Sequence, residues 1–78
     1  MNELMDIKDK SGVRTEIFRN KNLLIEGCDS LIDLSDELIK LKSGHLYIEI
    51  TGKNLTVTNL TESSLSLRGN IHSLSFRY

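Results

Sequence analysis

Apolar and polar residues alternate along much of the chain. Leu46, Ile48 and Ile50 interleave with Tyr47, Glu49 and Thr51. Leu55 and Val57 interleave with Thr56 and Thr58, and Leu65 and Leu67 with Ser64, Ser66 and Arg68. Leu74, Phe76 and Tyr78 do the same with Ser75 and Arg77. A period of two sends alternate side chains to opposite faces, so each stretch predicts a β-strand with one dry and one wet side. Ser43-Gly44, Gly52-Lys53-Asn54 and Gly69-Asn70 break the pattern as turn signals. Turn signals every 8–12 residues or so mark an antiparallel meander or a small sandwich. Upstream, Leu23 and Ile25 precede Gly27 in the same manner.

Three local details matter. Gly69-Asn70 can supply a tight hairpin turn. Alternatively the chain runs straight through, with Gly69 where a neighbouring backbone comes close. The apolar phase then slips, since Ile71 is odd-numbered while Leu74 and Phe76 are even. One extra residue near His72-Ser73 restores the facing, which predicts a β-bulge there. The segment from Asp29 to Lys42 points two ways. Leu31, Leu34, Leu38 and Leu41 fall at 3-4-3 spacing, widened by Ile32 and Ile39, with Asp29 or Ser30 as a cap and Gly44 as a stop. That pattern is an amphipathic helix. The other reading is two strands, Ser30 to Asp33 and Glu37 to Lys42, joined at Leu34-Ser35-Asp36. In it Ile39 and Leu41 point inward, and Lys40 and Lys42 outward.

The N-terminal part differs in character. Charged residues are dense from Glu3 to Lys21, and Leu4, Met5 and Ile7 predict one weak helical turn. Met1 to Gly12 reads as a mobile tail, and Val13 to Phe18 as a short strand. The expected organisation is a flexible leader over 1–21 and one β domain over 22–78.

Composition narrows the function classes. Leu, Ile, Val and Phe make up roughly a third of the 78 residues, well above the level of about 20% that marks disordered chains. A formal charge of −1 argues against a dedicated binder of nucleic acid or anionic membrane. No apolar run approaches the ~20 residues of a membrane-spanning helix, and Met1 to Lys10 lacks the apolar stretch of a signal peptide. A cytoplasmic location is therefore expected. Small domains commonly need disulfides, a metal or a partner subunit. Cys28 is the one cysteine, so no disulfide forms within the chain. With only two histidines beside it, a four-ligand zinc site is not expected. Association with a second copy or another protein remains.

Catalytic chemistry finds little support. Cys28 lies between Gly27 and Asp29, and the adjacent carboxylate would raise rather than lower its pKa. It reads as a partly buried residue at a strand end. His45 and His72 lack a carboxylate at a spacing that would orient a general base. Asp29, Asp33, Asp36 and Glu37 cluster without the glycine and trailing glutamate of a calcium loop, and read as a solvated turn. The basic residues are dispersed, with only Tyr47 and Tyr78 available for stacking on bases. The isolated glycines form no phosphate loop. No catalytic residue, cofactor, metal or small-molecule substrate is expected. The interface candidates are Ile71, Leu74, Phe76 and Tyr78 in the last strand. A terminal strand is often a sheet edge with unpaired backbone groups, and pairing with a second copy would satisfy them.

From Leu23 to Tyr78 the chain resembles the YabP/YqfC family. The resemblance rests on Ile25-Glu26-Gly27 followed by Leu31, the acidic pair Asp36-Glu37, and Leu38-Ile39-Lys40-Leu41. It continues through Ile50-Thr51-Gly52-Lys53-Asn54-Leu55, Asn59-Leu60, Leu67-Arg68-Gly69-Asn70-Ile71, and Leu74 with Phe76. The order and spacing of the set carry it, since no single motif is specific. One departure stands at Leu46, where the family tends to carry glycine, and Gly44 is expected to take over that turn. The resemblance implies an all-β fold, a small antiparallel sheet or sandwich of about six to seven short strands, and hence two strands over Asp29–Lys42. It further implies a non-enzymatic sporulation protein of endospore-forming bacteria, linked to spore coat or envelope assembly in the mother-cell cytoplasm. Such a protein acts through protein contacts, in some members with membrane-protein partners. The expected partners are therefore a second copy, as a homodimer, and another protein. The competing reading is a nucleic-acid or polyanion-binding β module.

Overall fold

The computed structural model describes residues 12–78 and the backbone of residues 4–8. Seven strands follow one another: β1 (Leu4–Lys8), β2 (Arg14–Phe18), β3 (Asn22–Glu26), β4 (Ser30–Leu34), β5 (Leu38–Ser43), β6 (Leu46–Leu60) and β7 (Ser64–Arg77). All pair antiparallel in the order β1-β2-β3-β7-β6-β5-β4. No helix occurs among the described residues. The fold is all-β, as the alternation and the resemblance led us to expect.

A flat sheet of this size could not hide its inner face from water, yet Ile25, Ile39, Leu46, Ile48, Ile50 and Leu65 have 0% exposure. The sheet bends over on itself. Val13, Leu23 and Ile25 from one end share a single buried cluster with Ile39, Leu41, Ile48 and Ile50 from the other. Burying each of these aliphatics contributes about 1.5–3 kcal/mol relative to exposure. The long strands β6 and β7 make the bend. The first part of β7 pairs with β3, Leu23 facing Leu67 and Ile25 facing Leu65. The first part of β6 pairs with β5, Ile39 facing Ile50 and Leu41 facing Ile48. Each long strand thus serves both layers.

The bend lies where β6 and β7 cross, and glycine makes it possible. A Cβ on Gly69 would sit 2.6 Å from the Asn54 carbonyl oxygen, and one on Gly52 would collide with the Asn70 carbonyl oxygen. The two β-hairpins cap this crossing in matching ways. In the β2–β3 turn, Lys21 O accepts from Gly69 N–H at 2.9 Å and Asn20 O from Ile71 N–H at 2.9 Å. In the β4–β5 turn, Glu37 O accepts from Gly52 N–H at 3.1 Å and Asp36 O from Leu55 N–H at 2.8 Å. Leu55 and Ile71 are both buried. The Lys21 ammonium also donates to the Asn70 side-chain oxygen. A quasi-two-fold relation therefore maps β2-β3-β7 onto β4-β5-β6.

Several expectations meet the structure here. Asp29 to Lys42 forms β4 and β5, with Ile39 and Leu41 buried. The helical spacing arises from a bulge. Leu31 faces Leu41 and Asp33 faces Lys40, leaving Ile32 as the extra residue. The bulge brings Leu31 and Leu34, three apart, to one face. The bulge expected near His72-Ser73 is present, since Thr51 faces Ser73 while Gly52 faces Ile71, which leaves His72 over. Thr51 and Ser73 hydroxyls bond beside it. The chain runs straight through Gly69-Asn70. It also runs straight through Gly52-Lys53-Asn54, where a turn was expected. These glycines serve a strand crossing, so β6 and β7 are long rather than short. The domain also begins earlier than residue 22. Arg14–Phe18 pairs with β3, Val13 and Thr15 are buried, and the helical turn expected at Leu4–Ile7 is instead strand β1, held extended by its pairing with β2. The rest of the expected leader, residues 1–3 and 9–11, lies outside the described residues.

Candidate functional site

The residues considered for catalysis do not converge. Cys28 is buried between β3 and β4. Burial pushes its thiol pKa up, a backbone hydrogen bond opposes this, and the Asp29 charge adds to the rise. That is the reverse of thiolate activation. His45 lies exposed in the β5–β6 turn, and His72 is the exposed bulge residue of β7. Among the described residues no group of three or more His, Cys, Asp or Glu could hold a metal ion.

The acidic residues around β4 divide by role. Asp29 Oδ2 accepts the Gly44 N–H at 2.9 Å, and Oδ1 accepts the Ser30 hydroxyl at 3.1 Å. The Gly44 bond lowers the Asp29 pKa below the usual carboxylate value, and the pair ties the start of β4 to the β5–β6 turn. Ser43 Oγ donates to Gly27 O at 2.6 Å beside it. Asp36 and Glu37 contribute backbone carbonyls to the bend, leaving their side chains exposed. Ser35 Oγ accepts the Leu38 N–H at 2.9 Å and so closes their turn.

The wet face of the β5–β6 layer carries the densest basic group. The Lys40 and Lys42 ammonium groups lie 5.5 and 5.7 Å from the Tyr47 ring centroid. Carboxylates are interleaved with them. Lys40 faces Glu49 on one side and Asp33 on the other, and Arg77 reaches Glu49 at 4.0 Å. Such a mixed surface does not present the single-sign field that holds a polyanion.

The remaining features are open strand edges. Beyond Arg68, β7 has β6 beside it on one side and, among the described residues, no strand on the other. Of the interface candidates, Ile71 is 7% exposed and belongs to the core. Leu74 is half-buried and Phe76 is 36% exposed. Tyr78 is exposed. The structure thus splits that set, leaving Leu74, Phe76 and Tyr78 along the edge. A further edge is β4, at the opposite end of the sheet from β1, every residue of which is exposed. Leu31, Ile32 and Leu34 stand 37–53% open. The sequence reading missed this edge, because the same leucines match a helical stripe.

The family model of the YabP family matches residues 10–78. No curated protein and no solved structure gives a significant match.

Proposed function

The chain belongs to the YabP family, which is associated with sporulation, and from this premise we propose that it is a non-enzymatic interaction or scaffold module. Its place is spore coat or envelope assembly in the mother-cell cytoplasm, as a homodimer that engages a further, membrane-associated protein. The observation that supports this reading best is the open edge of β7 from Ser73 to Arg77, flanked by Leu74 and Phe76. An edge of unpaired N–H and C=O groups is a template for another strand. The stretch is self-complementary. Antiparallel pairing centred on Ser75 sets Leu74 of each copy across from Phe76 of the other, extending the dry face without opposing like charges. The scattered histidines and the buried thiol support a role without chemistry.

Sedimentation tests the association: a dimer at micromolar concentration is expected, converted to monomer by Phe76→Lys. A wild-type chain that stays monomeric up to its solubility limit overturns the dimer. Complementation in sporulating cells tests the absence of chemistry. The combined Cys28→Ala, His45→Ala and His72→Ala variant restores spore formation on this reading. Loss of function in that folded variant points to an enzyme instead. Against the polyanion reading stands the interleaving of Asp33 and Glu49 with the lysines. Salt-sensitive retention on a phosphate column would favour it.

A further inference from the structure

The quasi-two-fold relation leaves one place unfilled. It maps β2 onto β4, each the outer strand of a hairpin whose turn caps the crossing. On β2 the outer edge is covered by β1, from Leu4↔Phe18 to Lys8↔Arg14. On β4 the equivalent edge is bare among the described residues, and the burial reflects this. β2 has one buried residue and three half-buried ones, whereas β4 has none of either. Beside the bare edge is a groove of about 190 Å³ lined by Cys28, Leu31, Leu41, Leu60 and Glu62. Leu60 is 54% exposed. Leu31 of β4 and Leu60 at the end of β6 thus line this groove together, with Asp29, Ser30, Thr61 and Glu62 as its polar rim.

Charge selects what fills it. Between Gly27 and Ile39 there is no lysine or arginine; Lys40 of β5 answers Asp33 across the strand pair, so the negative charge collects at the two ends of β4, with Asp29 and Glu62 at one and the exposed Asp36 and Glu37 at the other. Pairing β4 with β4 of a second copy would gather both sets of carboxylates along one seam, which like-charge repulsion opposes. The bulge at Ile32 further discourages indiscriminate pairing. We infer that β4 accepts an extended segment of a different protein, aliphatic at alternate positions and carrying lysine or arginine at its ends. It lies where β1 lies on the other half of the molecule. Aliphatic side chains of this segment enter the groove between Leu31 and Leu60, and its basic ends meet the acidic turns. This rests on the reading of the chain as an interaction module, but not on the β7 dimer.

The probe is a synthetic peptide of alternating valine and threonine with two lysines at each end, titrated into the isotopically labelled full chain. A matched peptide with glutamates at its ends is the control. The expected result is amide shifts and slowed hydrogen exchange at Ser30–Leu34, with the lysine peptide bound roughly tenfold more tightly, as several rim charges together supply. Ile32→Lys removes the binding, and Leu34→Lys serves as the second variant should the first fail to fold. Equal binding of both peptides, no response at β4, or retained binding in a folded Lys variant overturns the proposal. Response at Ser73–Tyr78 alone does so too, while leaving the β7 edge standing as an interaction site. Sedimentation of the unliganded chain reports the dimer separately.

Discussion

Replacing Gly69 by alanine tests whether the bend is built on contact between two backbones. The new Cβ would lie 2.6 Å from Asn54 O and 2.9 Å from Leu55 Cα, both backbone atoms that cannot swing aside. Gly69 also has φ of +148°, a region that L-residues enter at a cost of about 1–3 kcal/mol. Forcing extra volume into a packed site adds about 1–3 kcal/mol. The combined loss, about 2–6 kcal/mol, is a large part of the roughly 4–12 kcal/mol expected for a chain of this size. Gly44→Ala is the control. Its φ is +59°, but a Cβ there meets nothing within 4 Å, so only backbone strain of about 1–2 kcal/mol is expected. Urea unfolding followed by circular dichroism gives both values from the midpoints. Gly69→Ala should lose at least about 1 kcal/mol more than Gly44→Ala, the excess coming from overpacking. Equal losses would refute the crossing as a steric constraint.

Other consequences are more local. Ile50→Ala leaves a cavity at a position with 0% exposure and should cost about 2–5 kcal/mol in the same urea assay; a loss below about 1 kcal/mol would mean the two layers do not pack there. The folded-state pKa of Asp29 is depressed, so its stabilising effect is present above the ordinary aspartate value of about 3.9 and lost as pH falls through the lower folded value. The Asp29→Asn variant should show a shallower acid limb of stability than wild type, and identical limbs would discount the Gly44 bond. The Cys28 thiol should react with a disulfide reagent at mildly alkaline pH far more slowly in the folded chain than in urea. Equal rates would contradict its burial.

The strand content was legible because Leu46, Ile48, Ile50, Leu65 and Leu67 keep strict alternation, and because the phase slip after Ile71 marks the His72 bulge. What misled was local chemistry serving a distant purpose. The Ile32 bulge gives Leu31 and Leu34 a helical spacing inside a strand. Gly52-Lys53-Asn54 carries turn-forming residues, but the glycine is there to admit the Asn70 carbonyl, a contact between positions far apart in sequence. Val13 and Thr15 look like part of a charged leader until β3 is placed beside them. Of the interface candidates, Leu74, Phe76 and Tyr78 could be read from the run, whereas the burial of Ile71 depends on the bend, which alternation does not encode.

The pairing of β3 with Ser64–Arg68 has a consequence for how the chain is made. During synthesis β3 emerges well before Ser64–Arg68, the neighbour it requires. Until then Leu23 and Ile25 have no lasting cover, and contacts between such distant positions close slowly. The nascent molecule therefore stays open to aggregation or to chaperone capture until Ser64–Arg68 has been made.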